Sequence, residues 1–526
     1  MEGQIEPSRD YCGRDYDMNR ANSNDTLDSD ILRQLNSAGL SASVVLEHQH
    51  NVKSFIGSSG TRFFPINDTC RLDNGGIIKL PTRINEPPSV PCSTGGVIAF
   101  VPAAGASSRY LAPFAQLIRA LDSGSRMQCL LAKEELVKMG LLDFPIPDSL
   151  RRLLKMIDKA EGAEQEFSEL SREVLSNLEA PKALFPAVRS GETFLEIKRL
   201  EHLAIQGLQG EVFVGPPGRM KDFLQTAARV KSHLPVRCYE QGPGLSTVRF
   251  DASGEFARTK DNRLSFVPGG HGTLIRLFKK VAEDFSGARA VFIRNIDNVS
   301  GTGKAVMDVT RDFMLGFDVT LDLVQKIRIV MRSGKGLDAA APLAIELLNF
   351  WGLHADKNGD PILTVLARLF HSTPSDKAQF LDFFERPVVL MGQVPNTGSD
   401  VGGSCVFTNV GGLSQKLCLE LPHASPEDKK IYLEDSSKST HFNPVFVLAE
   451  LPSERFMNDV EKNPFWLISK KKWEGRDVFY QESILYELLG SSQYTNVIFT
   501  EIPRMLFNPH KTISDANGKS LEDWMD

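Results

Sequence analysis

Hydrophobic positions along the chain fall into two rhythms, one of helical spacing and one of short unbroken apolar runs. Leu27, Ile31, Leu32 and Leu35 recur at helical spacing and predict a helix over 27–40, with Gly39 as its stop. Residues 1–25 are polar, charged and short of aliphatics, the pattern of a disordered tail. Residues 50–95 mix short apolar runs with Gly, Pro and Asn, so 26–95 reads as an N-terminal cap that is irregular beyond its first helix. The run GVIAFVP, through residue 102, predicts a buried strand that empties into AAGASSR and then the amphipathic helix LAPFAQLIRAL. Strand, small-residue loop and helix in that order open a nucleotide-binding α/β sheet.

Residues 125–179 carry Leu, Glu, Lys and Arg at helical spacing and read as an inserted helical pair. The α/β alternation returns with the strand EVFVGPP, the helix RMKDFLQTAARVKSHL, the segment VRCYEQG and the strand ARAVFIRNID. A second helical insertion is expected over about 304–375, which puts the nucleotide-binding core at 96–384. Residues 385–450 alternate apolar residues with many glycines and predict antiparallel strands. The helix ESILYELLGSS and the strand NVIFTEI follow, so 385–526 is expected to complete the body.

Composition changes this picture little. With 41% hydrophobic and 24% charged residues the chain has an ordinary globular make-up. A net charge of −6 argues against nucleic acid as the main partner. No apolar run reaches the length of a membrane span, and the polar N-terminus lacks the apolar stretch of a signal peptide. The seven cysteines are scattered, without metal-ligand spacing, and a reducing cytoplasm is the simple expectation.

Six short segments carry candidate chemistry. In AAGASSR, small residues let backbone N–H groups approach phosphate oxygens, with Arg109 adding charge; a tight turn that binds nothing has the same sequence. Lys182, after Pro181, is a mobile point charge on a loop, or an ordinary surface lysine. PGGHGTLI sets three glycines around His271, as a planar ligand needs and as a glycine-rich hairpin also has. Asp297, in NIDN at a strand end, suits Mg²⁺ or caps a turn. Lys511, in NPHKTISD, is by itself an exposed loop lysine. In STHFNP, polar groups beside an aromatic suit a sugar or a simple turn, and His441 reads as structural.

Taken jointly, PAAGASSR, FVPGGHGTLI, FIRNIDNV, RPVVLMGQV, STHFNPV and LFNPHKTISD resemble the bacterial domain-of-unknown-function 4301 family over residues 25–520. More distantly, the same blocks resemble the UDP-glucose and UDP-N-acetylglucosamine pyrophosphorylases, the sugar-1-phosphate uridylyltransferases. That resemblance implies an α/β fold of the nucleotide-diphospho-sugar transferase type (Rossmann-like, GT-A). Its mixed sheet would be flanked by helices, with helical insertions and a C-terminal β-rich region. It implies a phosphate loop at Ala104, Gly105, Ala106, Ser107, Ser108 and Arg109, with Ser107 where the pattern has a second glycine. The Pro-Lys pair of the pattern, which usually follows soon after the loop, matches Pro181 and Lys182, with about seventy residues intervening. Gln241, Gly270 and His271 match the base-binding positions, Asp297 the metal position and Lys511 the second phosphate lysine, with His510 where valine is usual. Gly402, Gly403, Glu420 and Asn443 are looser sugar-side matches.

The implied reaction joins a nucleoside triphosphate, UTP by resemblance, to a sugar-1-phosphate and releases pyrophosphate, with Mg²⁺ as cofactor. A glycosyltransferase on the same fold would need the aspartate and metal, but neither Lys511 nor a phosphate loop tuned to triphosphate. A noncatalytic nucleotide-binding protein is the third reading, prompted by Ser107 and the long insertion.

Overall fold

A computed structural model describes residues 27–58, 63–81, 96–105, 107, 109–141, 144–145, 148–158, 164–178, 180–334, 337–353, 369–370, 384–398, 403–410, 413–451, 466–517 and 520–525. The expected N-terminal tail lies outside them. The chain divides into two compact units, one of Met1–Ser93, Gln241–Val291 and Asp312–Pro503, the other of Thr94–Glu240, Phe292–Arg311 and Arg504–Asp526.

The second unit is built on parallel strands. Val97–Pro102 pairs with Leu208–Gly215, which pairs with Val236–Glu240, and the end of Ala290–Arg294 lies on the other side of Val97–Pro102. Val97 to Val101 and Ala290 to Arg294 are buried without alternation, as strands covered on both faces require. The register slips between Val97 and Ile98, which face Leu208 and Gly210.

The crossover from Pro102 to Leu208 is where the sequence reading needs correction. In place of a helical pair, the described residues of the insertion form three helices: Arg126–Lys138, Asp148–Asp158 and Glu164–Leu178. Pro145 and Pro147 separate two amphipathic runs that otherwise read as one. Their apolar faces, with Leu136, Leu153, Ile157 and Val174, share one core with Phe114, Leu117 and Leu121 of the preceding segment. That core continues to Phe194, Ile197 and Phe213, so the insertion is packed against the strands' own helix.

The first unit holds a mixed sheet in the order Ile78–Lys79, Asn496–Glu501, Val388–Pro395, Phe446–Glu450. The first two pairings are parallel and the third is antiparallel. Val388–Pro395 therefore departs from the purely antiparallel expectation for 385–450. Its apolar run VVLM, buried on both faces, is a central strand's. Ser404–Val410 and Leu413–Leu419 do pair antiparallel, with Asp68–Thr69 on their far edge.

Ala42–Ser58 is helical, so the cap's irregular part does not begin at residue 50. Trp466–Trp473 and Arg476–Ser483 form a hairpin, which takes the first residues of the expected helix ESILYELLGSS and leaves Leu485–Leu489 helical. Phe250 exchanges backbone hydrogen bonds with Phe479 at 2.7 and 2.8 Å, and both rings share a core with Leu35, Val45 and Val52. No helix among the described residues is long and apolar enough to cross a membrane.

Candidate active site

The loop after Ala290–Arg294 and the segment before Ile513 are held together by two asparagines of the second unit. Asn298, buried, donates through Nδ2 to the Leu506 carbonyl at 2.8 Å and accepts the Asn508 N–H through Oδ1 at 2.8 Å. Asn508 in turn donates to the Val299 carbonyl at 2.7 Å, and the Val299 N–H donates to the Asn508 carbonyl at 2.9 Å. The His510 N–H then donates to the Asp297 carbonyl at 2.9 Å. The NIDN and NPHK motifs, more than two hundred positions apart, are thus one structural feature.

Lys182 reaches that feature from the other side. Its N–H donates to the Gly105 carbonyl at 3.1 Å, and Ser107 Oγ donates to the Ala180 carbonyl at 3.1 Å. These two bonds close the insertion back on the small-residue loop. Ser107 has a structural use where the pyrophosphorylase pattern has glycine. The Lys182 ammonium donates to Asp297 Oδ2 at 3.1 Å and to the His510 carbonyl at 2.7 Å. It also lies 5.3 Å from the ring centre of Tyr110 and 5.0 Å from that of Phe194. Burial holds its pKa below the ordinary lysine value, against the pull of the Asp297 carboxylate.

Gly105 and Asp297 therefore stand one lysine side chain apart. Ala104 is half-buried; Gly105, Arg109 and Lys511 are exposed. Lys511 follows His510, whose carbonyl Lys182 holds, so the two lysines converge on one segment. Ala106 and Ser108 lie outside the described residues.

Behind this front is a buried ionic cluster that sequence reasoning missed. The helix Phe194–Ala204 opens with a capping box between Thr193 and Glu196 and buries Lys198, Arg199, Glu201 and His202. Glu201 Oε2 takes Lys198 at 2.7 Å and Arg294 at 3.0 Å, while Oε1 accepts the Ser300 N–H at 2.8 Å. Lys198 also donates to the Asn298 carbonyl, and Arg294 to the Ser300 hydroxyl. Burial drives the Glu201 pKa upward, but Arg294 and Lys198 more than offset it and hold the carboxyl below its usual range. The cluster fixes the backbone on the C-terminal side of Asp297. Charged residues on a helix read as a solvated face, which hid it; Arg294 inside the apolar strand AVFIR was the available signal.

Asp297 is the candidate metal ligand. Its side chain is 29% exposed, and Oδ1 accepts no hydrogen bond from the described residues. No group of three His, Cys, Asp or Glu side chains able to hold a metal ion occurs among the described residues. A dedicated protein cage is thus not what these residues form. Mg²⁺ bound by one carboxylate and completed by substrate phosphates and water does fit them.

The remaining predicted residues belong to the first unit. Gly270, at φ 84°, and Gly272 abut Ser483: a Cβ would stand 2.6 Å from the Ser483 carbonyl oxygen at Gly270 and 2.2 Å from its Oγ at Gly272. Packing of the hairpin end therefore accounts for both glycines. His271 is exposed at the start of a short 3₁₀ turn, and Gln241 is half-buried. Gly403 and Asn443 are bridged, the Asn443 N–H donating to the Gly403 carbonyl at 2.9 Å. A Cβ on Gly403 would come 3.8 Å from Glu420 Oε1, so these three residues gather. The Asn443 amide is engaged with the Gly392 carbonyl at 3.1 Å and the Val445 N–H at 2.8 Å, the latter holding Val445 at φ 60°. Burial, reinforced by Glu487, raises the Glu420 pKa. His441 hydrogen-bonds Glu501 at 2.9 Å and Thr440 at 2.8 Å. Gly402 lies outside the described residues.

The fold and this cluster define a mixed α/β protein with a lysine–aspartate pair set at a small-residue loop. The chain belongs to the family described as Domain of unknown function (DUF4301), which matches residues 202–517. Among solved structures it is similar to the UDP-glucose phosphorylase of Trypanosoma brucei (14% identity, 92% of this chain and 77% of that one, TM-score 0.48). It is similar also to the UDP-glucose pyrophosphorylase of Leishmania major (13% identity, 93% and 79%, TM-score 0.48). A third is a putative UDP-N-acetylglucosamine pyrophosphorylase of Entamoeba histolytica (12% identity, 80% and 76%, TM-score 0.40). Comparison with curated proteins finds no sequence match.

Proposed function

We propose that this chain is a sugar-1-phosphate nucleotidylyltransferase of the GT-A, Rossmann-like type, using a nucleoside triphosphate, UTP by resemblance. The observation that carries the reading is the position of Lys182. Its ammonium lies between the Asp297 carboxylate and the carbonyl preceding Lys511, and its own N–H is anchored on Gly105. A phosphate chain laid along the loop would meet two lysines and a carboxylate suited to a divalent cation within one side chain's reach.

In the proposed reaction a sugar-phosphate oxygen attacks the α-phosphorus, the new P–O bond forms, and the bond to the bridging oxygen of pyrophosphate breaks. The nucleophile is already anionic, so no general base is required. Lys182, Lys511 and Arg109 neutralise charge on the phosphates, and the Gly105 loop orients them. Mg²⁺ held by Asp297 would supply charge neutralisation across adjacent phosphates. Gln241, Gly270 and His271 are assigned to the base, and Gly403, Glu420 and Asn443 to the sugar, on the resemblance. The packing of Gly270 against Ser483 leaves its backbone N–H, not its missing side chain, as the feature available to a base.

The test is a panel of nucleoside triphosphates against sugar-1-phosphates with Mg²⁺, reading out pyrophosphate, beside calorimetry with each nucleotide. Pyrophosphate release that disappears in Asp297→Asn is the expected result. Nucleotide binding without turnover of any pair would make the protein a nucleotide binder. Glycosyl transfer from a nucleotide sugar would make it a glycosyltransferase.

A further inference from the structure

The geometry points to Lys182 as the resident cation of Asp297, holding the carboxylate until a metal-chelated polyphosphate arrives and gives the ammonium new acceptors. This rests on the nucleotidyltransferase reading of the site and adds to it an order of events. Three observations carry it. The Lys182 ammonium is 3.1 Å from Asp297 Oδ2, inside the space a cation on that oxygen would occupy. The side chain is 10% exposed, and its ammonium lies over the rings of Tyr110 and Phe194, 5.3 and 5.0 Å from their centres. Its other acceptor, the His510 carbonyl, is neutral.

A divalent cation entering alone would share one carboxylate with an ammonium that burial keeps close. Like charges at that separation and in that surrounding repel strongly. Asp515 adds a weaker attraction at Lys182 and Arg109 a weaker repulsion, and no set of three metal-ligating side chains among the described residues is there to offset a further cation. A polyphosphate changes the balance. It brings several negative oxygens, so Lys182 turns from Asp297 to phosphate while the cation takes the carboxylate oxygen. Metal and polyphosphate therefore load together, and the free protein excludes the metal.

The experiment measures Mn²⁺ binding to the full chain by the loss of the free-ion paramagnetic resonance signal, without nucleotide. Wild type is expected to bind no Mn²⁺ at millimolar concentration. Lys182→Met is expected to bind it at least about tenfold more tightly, and the double variant Lys182→Met with Asp297→Asn to lose that gain. A melting curve establishes that each variant is folded, and Lys182→Gln serves if Lys182→Met is not. Wild type that binds Mn²⁺ alone in the micromolar range overturns the inference whatever the variants do. So does a folded Lys182→Met that gains nothing. The pyrophosphate assay is read separately. A failed assay with the Mn²⁺ pattern intact removes the nucleotidyltransferase reading but not the cation exchange, and an active enzyme without the Mn²⁺ pattern removes only the exchange.

Discussion

The Lys182 ammonium donates to the carbonyl oxygen of His510 at 2.7 Å, joining positions 328 apart in the chain. Lys511 follows that carbonyl, exposed and without an ion pair among the described residues. Its charge is therefore available to a ligand, and its removal leaves the Lys182 contact in place. Lys511→Ala is expected to lower kcat on the order of 10²–10³, as loss of one donor does in electrostatic sites. Stability should change by no more than about 0.5 kcal/mol, as for a surface substitution. Lys511→Arg should rescue poorly, because a planar fork does not replace a point charge against phosphate. Near-normal kcat in Lys511→Ala with the best sugar phosphate would move a glycosyltransferase or binding role ahead.

What the sequence made legible was whatever rested on unbroken apolar runs. The strand Val97–Pro102, the strand Asn496–Glu501 and the long helix Lys304–Arg332 could be read directly, because burial on both faces or sustained spacing leaves one interpretation. Ala42–Ser58 could not, since its polar and apolar residues are mixed around the helix and its packing against the hairpin is what favours it. Lys470, Lys471 and Lys472 leave Trp466–Trp473 without the apolar alternation that marks a half-buried strand. Within the site, Asp297 was a candidate from its place at a strand end, whereas Lys182 and Lys511 read equally as ordinary surface lysines until the resemblance of spaced motifs joined them. Lys198, Glu201 and Arg294 did not emerge at all, because ion pairing in the interior compensates charges that look exposed in a linear reading.

That buried cluster makes a stability prediction. Glu201 serves two cations and a backbone N–H of the loop that carries Asp297. Glu201→Gln keeps the shape but leaves Lys198 and Arg294 without their shared anion. A loss of 3–5 kcal/mol is expected, the range of roughly that size seen when one partner of a buried pair is removed. Urea denaturation followed by fluorescence reads it directly. A loss under about 1 kcal/mol would mean the two cations find other partners and that the cluster does not set the loop.

The glycines of PGGHGTLI separate packing from ligand contact. A Cβ at Gly272 would meet Ser483 Oγ at 2.2 Å and Ser483 carbonyl carbon at 2.6 Å, and the latter atom is backbone. Gly272→Ala should therefore cost about 1–3 kcal/mol of stability, as overpacking does. If the variant is instead as stable as wild type and loses nucleotide affinity in calorimetry, the glycine faces the ligand and the packing account is wrong.

A pH prediction follows from His48, on the helix Ala42–Ser58. Its Nδ1 is 3.1 Å from Thr247 Oγ1, and burial, with Arg276 adding repulsion, pushes its pKa from 6.5 down to about 4. The folded state thus refuses a proton that the unfolded chain accepts between those two values. Above pH 6.5 both states are neutral at this residue and its full contribution to stability is present. As pH falls through 6.5 toward 4, the unfolded chain gains the proton first and stability declines. The loss is bounded by roughly 3 kcal/mol, less to the extent that solvent reaches the half-buried ring. His48→Gln offers Thr247 a hydrogen-bond partner without the titration. The urea midpoint should fall more steeply in wild type than in His48→Gln between pH 7 and pH 4.5, values chosen to bracket the window. A difference between the two proteins that stays constant across that range would show that His48 is not linked to proton uptake on unfolding.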